Sequence, residues 1–212
     1  HVYGGQGVIQ VIFGWGGDGC FAEARTVALV SGEGSSNAGK SLAGGIDIDH
    51  DGIPDVLVGG HSYRVDGVAT GAAWVIPGSY LGDASTLVPE IYEEGLMPSN
   101  IYTFTPPNNS QRLRVEGIRP GEQFGASVAF VPSGNPGEAM GIVVGRPESD
   151  LAGSPGSGAA SIHRFIPAEG EASGGFESEP LAIFGGELSR PGGKLAFSVA
   201  AGSGAESPFV VL

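Results

Sequence analysis

The chain has 212 residues, of which 39 are glycine and 15 proline, and its formal net charge is −13. That charge argues against nucleic acid and anionic membrane surfaces as partners, because both call for a basic face. Hydrophobic residues make up 41% of the chain and gather in short β-branched runs bounded by Gly, Pro, Asn and Ser, which reads as many short strands and tight turns.

The sequence begins at His1 with neither a methionine nor a signal peptide, as expected of an internal or processed piece. No apolar run approaches the roughly 18–20 residues that cross a bilayer as a helix. A strand-like run, Gly7-Val8-Ile9-Gln10-Val11-Ile12-Phe13, leads into Gly14-Trp15-Gly16-Gly17-Asp18-Gly19, which matches the dinucleotide fingerprint G-x-G-x-x-G. The fingerprint needs a helix opening directly on it and a parallel strand beyond. Residues 20–30 can form one short helix, but turn-rich Ser31 to Ser36 follows, so the match reads as a connecting loop in a glycine-rich chain. Cys20 is the only cysteine, which excludes an internal disulfide and suits a secreted bacterial protein or one stapled by metal.

The most informative stretch comes next: Asp47-Ile48-Asp49-His50-Asp51-Gly52-Ile53-Pro54-Asp55, running straight into Val56-Leu57-Val58-Gly59-Gly60. Carboxylates stand at positions 1, 3, 5 and 9 of the loop, with a glycine at 6 where the chain must turn. Hard oxygen donors at this density suit calcium, and without a cation the like charges repel. An EF-hand would need a bidentate Glu at position 12, where this chain has Val58 inside a strand-like run. Zinc would draw on His and Cys; here oxygens outnumber the nitrogens of His50 and His61.

Gly60-His61-Ser62-Tyr63 is similar to a nucleophile elbow, G-x-S-x-G, but ends in Arg64 and has no helical pattern after it. The insert Tyr80 to Pro107, with Tyr92, Tyr102, Phe104 and the acidic run Glu90 to Glu94, reads as a long connection and as the first place to seek a ligand surface. Asn108-Asn109-Ser110 is formally a glycosylation sequon. Arg112-Leu113-Arg114-Val115-Glu116 alternates as a strand with one solvated face should, with Arg119 completing the only basic cluster.

Self-comparison reveals repeats. Gly39-Lys40-Ser41-Leu42-Ala43, the acidic loop and Val56-Leu57-Val58-Gly59 land, at a shift of 86, on Gly125-Ala126-Ser127-Val128-Ala129, a loop of equal length and Ile142-Val143-Val144-Gly145. Gly71 to Ile76 match Gly158 to His163 at a shift of 87, and a third copy, shifted by 154, starts at Gly193-Lys194 and runs through Pro208 to Leu212. Gly7 to Gly14 resembles Gly71 to Gly78. Such periods point to radial β repetition, in which each small unit packs on its neighbours.

The order Phe124-Gly125-x-Ser127-Val128-Ala129, an Asp-rich loop, Val56-Leu57-Val58-Gly59-Gly60 and Gly71-Ala72-Ala73-Trp74-Val75-Ile76 resembles the FG-GAP repeat of integrin-like β-propellers, over roughly 24–80, 100–167 and 180–212. The resemblance implies one calcium ion held by the side chains of Asp47, Asp49, Asp51 and Asp55 and the carbonyl of Ile53. The equivalent positions of the second repeat, Ser133, Asn135, Gly137 and Gly141, and of the third, Ala201, Ser203, Ala205 and Phe209, lack the carboxylates, so one site is expected.

The expected architecture is therefore all-β, an incomplete β-propeller of about three blades built from four-stranded antiparallel sheets. Its divisions are the last strand of a preceding blade (1–19), a blade with the calcium loop (20–80), an inter-blade insert (81–107), a blade with a degenerate loop (108–170) and the first strands of a further blade (171–212). The expected function is a calcium-stabilised, non-catalytic adhesion, binding or assembly module, extracellular or on the cell surface, with a protein partner or other subunits completing the propeller. The alternatives are a carbohydrate-binding propeller, or the non-catalytic part of a polysaccharide-active enzyme, and a purely architectural subunit of a surface assembly.

Overall fold

Strand β4 (Asp55–Gly60) and strand β7 (Ala72–Ile76) are short continuous apolar runs, and such runs are stable as strands only when both faces are covered. They form the middle of an antiparallel sheet ordered β10-β7-β4-β3, with β3 (Ser41–Ile46) and β10 (Arg114–Glu116) at its edges. The computed structural model describes residues 7–13, 25–30, 36–82, 88–89, 101–103, 113–133, 137, 139–149, 157–167, 174–176, 182–187 and 196–201. Among them the chain is mostly β-strand, with one short helix, α1 (Gly78–Gly82).

Two further sheets flank this one. The first is ordered β1-β2-β9-β8, from β1 (Val8–Phe13), β2 (Arg25–Val30), β8 (Val88–Pro89) and β9 (Ile101–Thr103). All its pairings are antiparallel except β2 with β9. The third runs β11-β12-β13-β15-β16, from β11 (Ser127–Pro132), β12 (Ala139–Arg146), β13 (Ala159–Pro167), β15 (Ala182–Glu187) and β16 (Ala196–Ala201), with β14 (Gly174–Phe176) also on β13. Strands β5 (Arg64–Val65) and β6 (Val68–Ala69) make a separate hairpin that turns at Asp66 and Gly67, both at positive φ.

The middle sheet buries both faces. Val58, Ala72, Trp74 and Ile76 pack with Ile9 of β1, and Leu57, Ala73 and Val75 pack with Ile142, Val144 and Phe165 of the third sheet. Alternation along each strand sends successive side chains to opposite sides, so Leu57 and Val58, adjacent and both fully buried, serve two different cores.

The first two repeats read from the sequence correspond in the backbone. Asn37 and Gln123, at equivalent positions, both take positive φ, as do Gly39 and Gly125 two residues on. The Gly39 amide donates to the Gly59 carbonyl and the Gly125 amide to the Gly145 carbonyl, each at 3.1 Å. Each hairpin also breaks register beside its loop, but on opposite strands: the extra residue is Gly45 in β3 and Met140 in β12.

Strand pairing cuts across the divisions expected from sequence. β2 lies within residues 20–30, whose pattern allows a short helix; it is a strand, antiparallel to β1. α1 straddles the start of the insert, which itself supplies β8 and β9, and these two extend the first sheet. β10 closes the middle sheet against β7 rather than opening the next unit. β15 and β16 continue the sheet of β13. The reason is common to all: a strand pattern fixes which side chains turn inward, whereas its partner is chosen by which edge lies open in space. Gly14 to Gly19, Cys20, the Asn108 sequon, Arg112 and Gly202 to Leu212 lie outside the described residues.

Candidate metal centre

The acidic loop joins the end of β3 to the start of β4, so Asp47 and Asp55 are anchored by the two strands it connects. The backbone turns back through His50 (φ 63°) and Gly52 (φ 87°), the glycine standing where the sequence required a sharp turn. Main-chain amides wrap the carboxylates. Asp47 Oδ1 accepts from the His50 amide (2.7 Å) and Oδ2 from the Gly52 amide (2.8 Å). Asp51 Oδ1 accepts from the Ile53 amide (2.8 Å), and Asp49 Oδ1 from the Asp51 amide (3.3 Å). Asp55 is the most enclosed, 1% exposed, with Oδ2 on the Ile48 amide (2.7 Å) and Oδ1 on the Gly78 amide at the start of α1 (2.8 Å).

This arrangement penalises negative charge. Burial pushes the Asp55 carboxyl up to about 7, against two backbone amides that pull it down, with Asp49 and Asp47 adding to the rise. Burial, then the charges of Asp51 and Asp47, also raise Asp49 above the ordinary carboxylate value. Asp49 is 7% exposed, and its Oδ2 is buried without a hydrogen-bond partner, as is Asp51 Oδ2. Buried acceptors lacking donors are costly, and a bound cation removes that cost.

Of the four expected carboxylates, the structure brings three together. One carboxylate oxygen from each of Asp47, Asp49 and Asp55 lies within 4.8 Å of the others, and that cluster could hold a metal ion. Asp51 stands outside the cluster, though on the same loop, where its Oδ1 accepts from the Ile53 amide. The cluster contains carboxylates and no histidine, a hard donor set that favours calcium or magnesium over zinc. At equivalent positions the second loop has Ser133, Gly137 and Gly141 among the described residues, with no carboxylate.

The other sequence constellations resolve as packing. Ser62 Oγ accepts from Asn37 Nδ2 (2.9 Å) and Tyr63 is buried edge-on to Trp74, so the elbow-like stretch forms a strand-end corner. In the basic cluster, Arg114 donates to the Tyr63 hydroxyl (2.8 Å) and pairs with Glu116, while Leu113 and Val115 turn inward.

One polar cluster was not anticipated. Glu122 and Arg146 form a buried ion pair (3.2 Å), Glu122 Oε1 also accepts from the Ile118 amide (2.9 Å) and the Arg119 amide (3.2 Å), and Arg146 lies over the Phe124 ring. Nearby, Ser161 Oγ and His163 Nε2 are 2.8 Å apart and the His163 ring meets Phe124 edge-on. The signal was in the repeat alignment. Where the first repeat has Gly60 beneath the Trp74 ring, the second has Arg146 and Ser161, so the longer side chain appears where the ring is lost. Both Ser161 and His163 are buried, which suits a structural pair rather than a nucleophile and its base.

His163 yields a pH prediction. Burial, and then the Arg146 charge, lower its pKa from 6.5 to about 4. The unfolded chain therefore takes up this proton first as pH falls, so the contribution is complete above pH 6.5 and is lost on the way down to 4. Denaturant unfolding at pH 7 and pH 5 should show the wild type losing about 2 kcal/mol more than His163→Gln. Equal losses in both proteins would contradict this.

No protein-family model matches the chain, and no curated protein matches it.

Proposed function

We propose that this chain is a segment of a β-propeller of the FG-GAP type, stabilised by one calcium ion and serving as a non-catalytic adhesion, binding or assembly module outside the cell or at its surface. The observation that carries the metal reading is Asp49 Oδ2, buried without a donor in a group of three carboxylates. Asp47, Asp49 and Asp55 hold the ion in this reading, with Asp51 and the Ile53 carbonyl completing the oxygen shell. Calcium would supply charge neutralisation and a rigid link between the ends of β3 and β4. What supports the propeller reading is the repeated strand–loop–strand backbone and the stacking of successive sheets face to face. The extracellular placement rests on the FG-GAP resemblance; extracellular calcium modules bind the ion at roughly 0.1–1 mM.

Thermal melts with calcium, magnesium or chelator test the reading. Free calcium a hundredfold above its Kd should stabilise the wild type by about 2.7 kcal/mol, a rise in melting temperature of roughly 5–10 °C. Asp49→Ala should lose that increment. Identical melts in calcium and chelator would remove the calcium reading.

A further inference from the structure

We propose that cation binding at the Asp47–Asp55 loop controls how firmly the middle sheet is locked to the third sheet. The inference rests on the metal reading above and extends it from local stability to coupling between units.

Asp47 belongs to both structures at once. Its carboxylate is in the three-carboxylate cluster, while its backbone amide donates to the Gly137 carbonyl (2.9 Å) and its carbonyl accepts from the Ala139 amide (3.4 Å). Gly137 and Ala139 belong to the loop and first strand position of the second repeat, so these two hydrogen bonds span the junction between repeats. The next residue does the same through its side chain. Ile48 is fully buried in the core shared with Ala139, Ile142 and Val144. Its amide is held by Asp55 Oδ2, another member of the cluster. Alternate residues of one short segment thus face the ion site and the inter-sheet core, and a rearrangement that separates the carboxylates displaces Ile48 and the Asp47 backbone with them.

The charges supply the drive. With no cation, the cluster concentrates like charges in a partly buried space, and Asp49 Oδ2, on a residue more than nine-tenths buried, has no donor to offset its desolvation. Loop opening relieves both costs and weakens the junction; a divalent cation reverses the balance. The second loop, without carboxylates at its described positions, acts in this scheme as the receiving surface for Asp47 and Ile48.

Residue-resolved hydrogen exchange on the whole chain, alongside calorimetric titration with calcium chloride, tests the coupling. Calcium should slow exchange of the Asp47 and Ala139 amides about tenfold or more relative to chelator. The Gly39 and Gly125 amides, bonded within their own repeats, should change by less than about threefold. Asp49→Asn should make exchange at Ala139 insensitive to calcium. Calorimetric binding without selective slowing at Asp47 and Ala139 would overturn the coupling while leaving the metal site in place. Absence of any binding heat would overturn the metal reading and the coupling together.

Discussion

Glu122→Ala is expected to lower the unfolding free energy by about 3–5 kcal/mol, the range found when one member of a buried ion pair is removed. Glu122 is 2% exposed and Arg146 4%. The substitution leaves the guanidinium buried without its counter-charge and strips acceptors from the Ile118 and Arg119 amides. Arg146 Nε already lacks a partner, so the cluster has little spare hydrogen bonding to redistribute. Charge removal alone is not the cause. Replacing both residues, as Glu122→Gln with Arg146→Leu, should recover much of the loss, since apolar packing substitutes well for a buried pair. Chemical denaturation of the two proteins makes the comparison; a loss below about 1 kcal/mol in the single variant would show that water reaches the pair and screens it.

Gly71→Ala is expected to cost about 2–5 kcal/mol. Two effects combine: a left-handed backbone, unfavourable for alanine by about 1–2 kcal/mol, and overlap with atoms that cannot move aside, worth a further 1–3 kcal/mol or so. Gly71 sits at φ 86°, bridged in parallel to Phe124, and a Cβ there would overlap the Phe124 carbonyl oxygen. The same relation recurs between Gly7 (φ 83°) and Ala38 in the preceding repeat. Close backbone approach at this point is thus a property of the junction between successive repeats. Gly67→Ala is the control. It has a similar φ of 80° but nothing within 4 Å of the added carbon, so it should show only the backbone cost, about 1–2 kcal/mol. Equal losses at the two positions would remove the steric part of the argument.

Much of the candidate site was legible because its donors are consecutive. Nine residues with carboxylates at positions 1, 3, 5 and 9 need no tertiary contact to suggest an oxygen-rich loop, and three of those carboxylates come together in the structure. Less legible was the loop's other attachment. Gly78, whose amide holds Asp55, is 23 residues away, and Gly137 and Ala139 belong to another repeat. Glu122 and Arg146 were hidden for the same reason, since each alone reads as an ordinary solvent-facing charge.

Strand content and burial followed the chain's own chemistry. Short apolar runs between glycines give strands, and Val56 to Gly60 and Ala72 to Ile76 are too apolar to leave either face in water, so the all-β class is written locally. Pairing is not. The strand of residues 25–30 joins β1, and that of residues 114–116 joins β7 across the insert, although nothing in either segment names its partner. The backbone N–H donor is common to every residue but proline and the carbonyl acceptor to all, so strand hydrogen bonding carries little sequence information. The choice of partner falls to whichever edge the packed faces leave within reach. The sequence determined the strands, the turn glycines and the acidic loop; tertiary structure alone decided which sheets those strands joined and placed the loop at a junction between two of them.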